Sequence, residues 1–554
     1  MIMQVLIHRT KILVLPGCSR TPGYGVIALV AMLIVTLFII RPVWQVHDDV
    51  YYAMLAEGYG ILERPVEAMP YMHPIIGQIL SVVRLLETGY SYAIFLIGCV
   101  LIGTIAVGYR LLKDEQGPFA WVLVSAGIAP FILQLQYTYV SGFLVACAAV
   151  LWAGRGDVEP TPREWMFGAV LILMAMFFRV SMAAAAAACL FPILLWNARS
   201  RALLNRAWII GFFSAIAAVI LLHALASYGL QDTWLSEFYR LNDPVATLKN
   251  YGYIEAIRYY RGFLTTGFTE NDIGLLGEWF FGDLSMLEPS RMYALMESVP
   301  FEHVLRARYW AGIESIKNLP EQLFFWFLLA ATWMSFFSRM RNAILVGVGT
   351  FVVIYLASAS FVRPFPERVA GGIAAGLFFL ASISIQASSP PRARRISRLA
   401  LCIAMAMLAP VALIICSDRM RLHYEEQAWK KDVQMLESEK LVYAFGGEIN
   451  LRAGYRPFDV GSRSPRIIFL GSMYLLPELR EQELASGCGG FLECLASGRR
   501  FSLVASHNNV EQLQQLVQER YAKPLVVEDR TEYASFTLYG ISVQNAKTSL
   551  VQQP

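Results

Sequence analysis

Charge is what this sequence has least of. Of its 554 residues only 16% are Asp, Glu, Lys or Arg, while 56% are hydrophobic, and the mean hydropathy is +0.49. Soluble domains carry about 25% charged residues, so the shortage excludes an ordinary soluble protein and indicates an integral membrane protein. The formal net charge of +4 is unremarkable, and no nucleic-acid partner is expected. The polar C-terminal region has no Walker, dinucleotide-binding or zinc-finger spacing. Internal repeats and low-complexity stretches are missing too, apart from Ala183 to Ala188, which reads as a close helix-packing face. The eight cysteines are scattered, most of them inside apolar runs where Cys acts as a small core residue. Cys488 and Cys494 are the exceptions, and a disulfide is expected there if that region lies in an oxidising compartment.

What is present is a series of apolar segments. A spanning helix needs about 20 mostly apolar residues. Candidate spans are roughly 24–43, 90–109, 118–135, 138–153, 165–179, 181–196, 207–227, 321–337, 343–361, 369–386 and 399–416, about eleven in all. The stretch 74–87 stays open, because Arg84 and Glu87 interrupt it. Residues 1–23 read as a cytoplasmic tail with His8, Arg9, Lys11 and Arg20; the apolar stretch before Cys18 is too short for a signal sequence. The transmembrane domain is expected over 24–416, with outer loops at 44–89 and 228–320, and an extracytoplasmic α/β domain over 417–554.

Orientation follows from the short loops. Arg110, Lys113, Arg155, Arg163, Arg199, Arg201, Arg206, Arg339, Arg341 and the Arg392 to Arg398 group fall on the side of the N-terminal tail. The positive-inside rule places that side in the cytoplasm. Asp48, Asp49, His73, the long loop and everything after Cys416 then face outward. The loop 228–320 is rich in aromatics, and Ile254–Phe263 and Val304–Ile316 read as amphipathic helices at the interface. They are an aromatic belt at headgroup level, a lid over a lipid substrate, or both. In the last region, 441–445, 466–470, 501–505, 525–528 and 534–543 read as strands, with a helix over 509–521.

The outward ends of these helices collect polar residues that are costly near a membrane. Asp48 and Asp49 follow the first span, with Tyr51 and Tyr52 behind them, and His73-Pro74 opens the next apolar stretch. Gln134, Gln136, Tyr137 and Tyr139 occupy one short turn, Arg179 and Ser181 another, and Arg363, Glu367 and Arg368 a third. Taken singly, Asp48 and Asp49 end a helix in water, His73 is a helix-entry residue, Arg179 snorkels to headgroups, and Arg368 pairs with Glu367. Taken together, acids on one helix and arginines on two others suit a phosphate-bearing lipid, since the Arg fork matches phosphate oxygens.

Asp48-Asp49-x-Tyr51-Tyr52 followed by Tyr71-Met72-His73-Pro74 resembles the Asp-Glu…His-Pro-Pro-Leu pattern of the GT-C superfamily of polyprenyl-phosphate-sugar glycosyltransferases, in its protein O-mannosyltransferase and aminoarabinose-transferase branch. Phe178-Arg179-Val180-Ser181 resembles the basic turn of such enzymes, and Arg363-Pro364-Phe365-Pro366-Glu367-Arg368 their late Arg/Pro/Tyr motif. Asp49 stands where Glu is usual, Ile75 replaces the second Pro, and the late motif lacks its Tyr. The resemblance implies a GT-C-like fold and inverting transfer from a polyprenyl-phosphate-linked sugar to a lipid, glycan or protein acceptor at the outer face of the membrane; sparse Asn-x-Ser/Thr sites and no retention tail point to a bacterial inner membrane. It implies Asp48 as base or orienting carboxylate, Asp49 as its catalytic neighbour, and Arg179 and Arg368, with Arg363, as phosphate partners. Tyr52, His73, Gln136, Tyr137 and Glu367 complete the expected substrate-binding set. No cofactor is required, although a divalent cation at Asp48 and Asp49 stays open. A transporter or lipid flippase is the alternative, and it sits poorly with charges at one face instead of the midplane. A catalytically dead scaffold displaying the outer domain has no need of the paired acids.

Overall fold

The structure is a computed structural model. It describes residues 41–58, 65–66, 69–86, 89–113, 118–153, 160–196, 234–338, 340–359, 366–385, 391–436, 439, 442–445, 450–458, 467–476, 487 and 489–544, with four isolated positions between 216 and 225. The tail 1–23, nearly all of the spans 24–43 and 207–227, Arg363 and Cys488 lie outside the described residues.

Most of the described chain is helical. After a two-residue strand β1 (Val43–Trp44) come α1 (His47–Glu57), α2 (Pro74–Leu86), α3 (Ser91–Lys113) and α4 (Pro118–Leu133). Strand β2 (Gln134–Leu135) leads into α5 (Tyr137–Ala153) and α6 (Pro162–Trp196). The long loop folds into α7 (Trp234–Asn250), α8 (Tyr253–Tyr260), α9 (Glu270–Gly277), α10 (Pro289–Glu297) and α11 (Phe301–Lys317). Then follow α12 (Leu323–Ser335), α13 (Arg341–Ala357), α14 (Glu367–Ser384) and α15 (Pro391–Leu436).

Four stretches are long and apolar enough to cross a membrane: Ser91–Lys113, Pro162–Leu190, Glu367–Ser384 and Cys402–Asp432. Helices α2, α4, α5, α12 and α13 are apolar but shorter. At 1.5 Å per residue a 17-residue helix such as α5 covers only about 25 Å, against about 30 Å of hydrocarbon. Helix α5 is nonetheless buried at every residue, and it forms the centre of the bundle with α6 and α14. The close approach is made by small residues. A Cβ on Gly372 of α14 sits 2.7 Å from the Gly142 Cα of α5, so only glycine lets these backbones touch. On α6, Ala183 and Ala186 are buried while Ala184 and Ala188 are exposed.

One expected boundary holds and another changes. The turn expected between 165–179 and 181–196 is present as a break in α6 at Arg179, whose φ −164 and ψ 103 are extended instead of helical. Helix α15 passes through residue 417 without a stop, so the change to polar composition at Cys416 is not a change of backbone. Helix hydrogen bonds are indifferent to which side chains face lipid or water.

The C-terminal region holds a five-stranded sheet of β3 (Val442–Ala444), β4 (Ile467–Phe469), β5 (Phe501–Val504), β6 (Leu525–Glu532) and β7 (Thr537–Val543), in the order β4-β3-β5-β7-β6. β3 is parallel to β4 and β5, while β7 is antiparallel to β5 and β6. Helix α16 (Leu451–Gly454), α17 (Phe491–Ala496) and α18 (His507–Tyr521) flank it. Cys494 is disulfide-bonded, and its partner is outside the described residues. The sheet region packs onto the site-bearing end of the bundle. Phe469 meets the Tyr51 ring at 5.4 Å, and Arg520 reaches Asp272 of α9 at 3.0 Å and Asp283 at 3.4 Å.

Candidate functional site

The site is built where β1 pairs in parallel with β2, Val43 opposite Gln134 and Trp44 opposite Leu135. That pairing brings the start of α1 against the start of α5. Asp48 and Asp49 occupy the first turn of α1, where the helix dipole favours acids. Consecutive helical residues point about 100° apart, and here that separates the two acids completely. Asp49 is fully buried. Its Oδ1 accepts from the Tyr92 hydroxyl at 3.1 Å and the Tyr137 N–H at 3.3 Å, and its Oδ2 is buried without a partner among the described residues. Asp48 is 50% exposed, with Oδ2 3.5 Å from Nη1 of Arg368, which is 24% exposed.

Burial pushes the Asp49 carboxyl well above its usual range, and the neighbouring Asp48 charge adds to it; the Tyr137 N–H, Arg368 and Tyr92 oppose the shift without cancelling it. A raised folded-state pKa means that the fold holds the proton more tightly than the unfolded chain. The stability this gives is complete below the unfolded Asp pKa of about 3.9 and is lost as pH rises through the folded value. Asp49→Asn removes that titration. Thermal unfolding of the purified protein against pH is therefore expected to fall less steeply above pH 4 in the variant than in wild type. Parallel curves exclude this account.

The second cluster surrounds Arg179. Its break in α6 lets Nη1 donate to the Tyr137 hydroxyl at 2.8 Å, and the guanidinium lies 5.8 Å from the ring centres of both Tyr71 and Tyr137. Tyr52 packs edge-on to Tyr137 at 5.1 Å. Tyr71 is held at φ 62, a left-handed conformation that costs a bulky residue on the order of 1–3 kcal/mol. Its N–H donates to the Tyr239 hydroxyl at 2.6 Å and its own hydroxyl accepts from Asn242. Burial pushes the Tyr52 and Tyr71 phenols up, so both remain neutral hydrogen-bonding groups.

Three of the expected substrate-binding residues are engaged at helix starts, where four N–H groups need partners. Gln136 is fully buried, and its Oε1 accepts from the Tyr139 N–H at 2.7 Å. His73 Nδ1 accepts from the Ile75 N–H at 3.2 Å, and the His73 N–H bonds the Phe177 carbonyl at 2.9 Å. Glu367 Oε1 accepts from the Leu323 N–H at 2.7 Å. The alternative that Arg368 pairs with Glu367 gives way to the pair with Asp48. The structure thus brings Asp48, Arg368, Tyr52, Tyr137 and Arg179 to one end of the bundle, while His73, Gln136 and Glu367 brace the helices that carry them.

Sequence reasoning missed Arg452, Asp418, Tyr92 and Tyr239. A cavity of about 310 Å³ opens beside the Asp48–Arg368 pair, lined by Gln45, Gln134, Glu367, Arg368, Asp418 and Arg452. Arg452 of α16 bonds the Trp44 carbonyl at 2.7 Å and Asp418 of α15 at 2.6 Å, so the C-terminal region supplies a wall of this cavity. No sequence signal links residues this far apart. The acids do not fit a divalent-cation site: Asp49 is buried on two donors and Asp48 faces a guanidinium. Among the described residues no group of three or more His, Cys, Asp and Glu is placed to hold a metal ion. No protein-family model, curated protein or solved structure matches this chain, so the chemistry rests on its own residues: a half-exposed carboxylate and two guanidinium groups gathered at one end of an apolar bundle.

Proposed function

We propose that this chain is an inverting glycosyltransferase that moves a sugar from a polyprenyl-phosphate donor to a lipid, glycan or protein acceptor. The reading includes a GT-C-like membrane domain of about eleven spans, a bacterial inner-membrane location and an outward-facing site. The observation that carries it is the separation of the two acids. Asp48 is half exposed beside Arg368, which itself lines a cavity, and Asp49 is locked in behind it.

In the reaction the acceptor hydroxyl gives its proton to Asp48 as its oxygen bonds to the anomeric carbon. The bond from that carbon to the phosphate oxygen breaks, and the polyprenyl phosphate leaves with the electron pair. Arg179 and Arg368 face the charge that develops on the phosphate, and preorganised donors of this kind act most strongly where charge appears in the transition state. Arg368 also holds Asp48 in place until the acceptor arrives.

Incubating the purified protein with a polyprenyl-phosphate sugar, with and without a membrane extract as acceptor source, is expected to release polyprenyl phosphate. Movement of intact donor across a vesicle bilayer without cleavage makes it a flippase instead. Neither release nor movement leaves a scaffold.

A further inference from the structure

Helix α11 is the least buried long helix of the outer loop: only Val304 and Gly312 are buried along it. It lies across the ends of two apolar helices. A Cβ on Gly312 falls 2.7 Å from the Ala359 carbonyl oxygen just beyond α13, and Ser315 and Tyr355 share a hydrogen bond of 2.8 Å. The turn Leu319–Glu321 then leads directly into α12. This fixes α11 at the level where the apolar helices end. Phe301, Tyr309 and Trp310 on α11 are 59%, 54% and 58% exposed, and Tyr259 on α8 is 71% exposed. Aromatics in such a place sit at the boundary between headgroups and hydrocarbon.

Between α8 and α11 is a cavity of about 530 Å³ with a mixed lining. Arg306 and Arg308 stand with Glu255 and Glu314, and Tyr259 and Trp310 flank them. Arg306 stacks 5.7 Å from the Tyr259 ring and makes no ion pair among the described residues. Arg308 donates to the Tyr251 carbonyl at 2.8 Å. Lys249, also in the lining, donates to the Gly277 carbonyl.

We infer that this cavity binds the headgroup of a membrane phospholipid carrying a phosphate and a primary ammonium, as in phosphatidylethanolamine. The volume lies within the 300–1,000 Å³ range of ligand pockets. Arg306 presents a planar fork to the phosphate, and Glu255 and Glu314 accept from the ammonium. Lys249 and Arg308 are each engaged on a backbone carbonyl, so a headgroup with no cation leaves Glu255 and Glu314 without a counter-charge from the ligand, and a trimethylammonium has no N–H to give them. The acyl chains then run along the exposed aromatics into the leaflet. This site is separate from the Asp48 cavity and does not depend on the glycosyltransferase reading.

The test is native mass spectrometry of the full chain released from lipid nanodiscs of phosphatidylethanolamine, phosphatidylcholine or phosphatidylglycerol. Wild type is expected to retain phosphatidylethanolamine in preference to the other two. Arg306→Ala and Glu314→Gln, both exposed positions, are each expected to reduce that retention about tenfold, the loss of one charge-assisted contact, with an unchanged melting temperature. Equal retention of phosphatidylglycerol or phosphatidylcholine by wild type overturns the headgroup assignment. Unchanged retention in both variants overturns the site.

Discussion

Asp48→Asn is expected to leave the protein folded and able to bind the lipid donor while lowering turnover by at least about 10²-fold, the low end for loss of a general base. Folding is not at risk, because the Asp48–Arg368 pair is half open to water, 50% exposed on the acid side, and exposed pairs contribute only about 0–1 kcal/mol. The amide keeps the shape and accepts a hydrogen bond, but it has no lone-pair charge with which to take a proton. Arg368 then faces a neutral group and is freed toward the phosphate, so donor affinity holds or rises while turnover falls. Purified variants assayed on one lipid donor give the answer. Normal turnover in Asp48→Asn together with loss in Asp49→Asn reverses the two roles. Normal turnover in both removes the catalytic reading at its centre.

The second large effect belongs to Arg179. Arg179→Lys is expected to weaken donor binding at least tenfold and to cut turnover by about 10², the scale for removing one preorganised donor from a developing oxyanion. The guanidinium is fixed by the Tyr137 hydroxyl at 2.8 Å and lies 5.8 Å from the Tyr71 and Tyr137 ring centres. A lysine ammonium keeps the charge but not the planar fork, and it cannot bond Tyr137 and two phosphate oxygens in the same geometry. Binding of donor lipid and turnover are measured separately, with circular dichroism confirming the fold. Donor binding equal to wild type makes Arg179 an anchor for bulk headgroups, with its break in α6 a feature of helix packing alone.

Much of the frame was legible along the chain. The short apolar runs before and after residue 509 become β3, β4, β5, β6 and β7, and the apolar spacing of Val510, Leu513, Leu516 and Val517 becomes the buried face of α18. The two amphipathic stretches of the long loop become α8 and α11. A single arginine inside a long apolar stretch marked the interruption of α6. What could be read was local: a period, a composition change, a charge out of place.

The sequence by itself determined a mostly helical chain with apolar helices long enough to cross a membrane, because long apolar runs satisfy their backbone groups best within a helix, and it determined which end of the helices gathers polar groups. Tertiary structure alone decided how those groups divide. Asp48 and Asp49 are neighbours with the same chemistry, and a rotation of about 100° between them leaves one half exposed beside Arg368 and the other sealed behind Tyr92 and Tyr137. Glu367 and Arg368 divide the same way, one bonding the first N–H of α12 and the other facing Asp48. Arg452 joins the cavity from the C-terminal region through contacts with Trp44 and Asp418. Periodicity cannot carry this information, since it depends on which helix ends meet in space and which buried polar groups must then be satisfied.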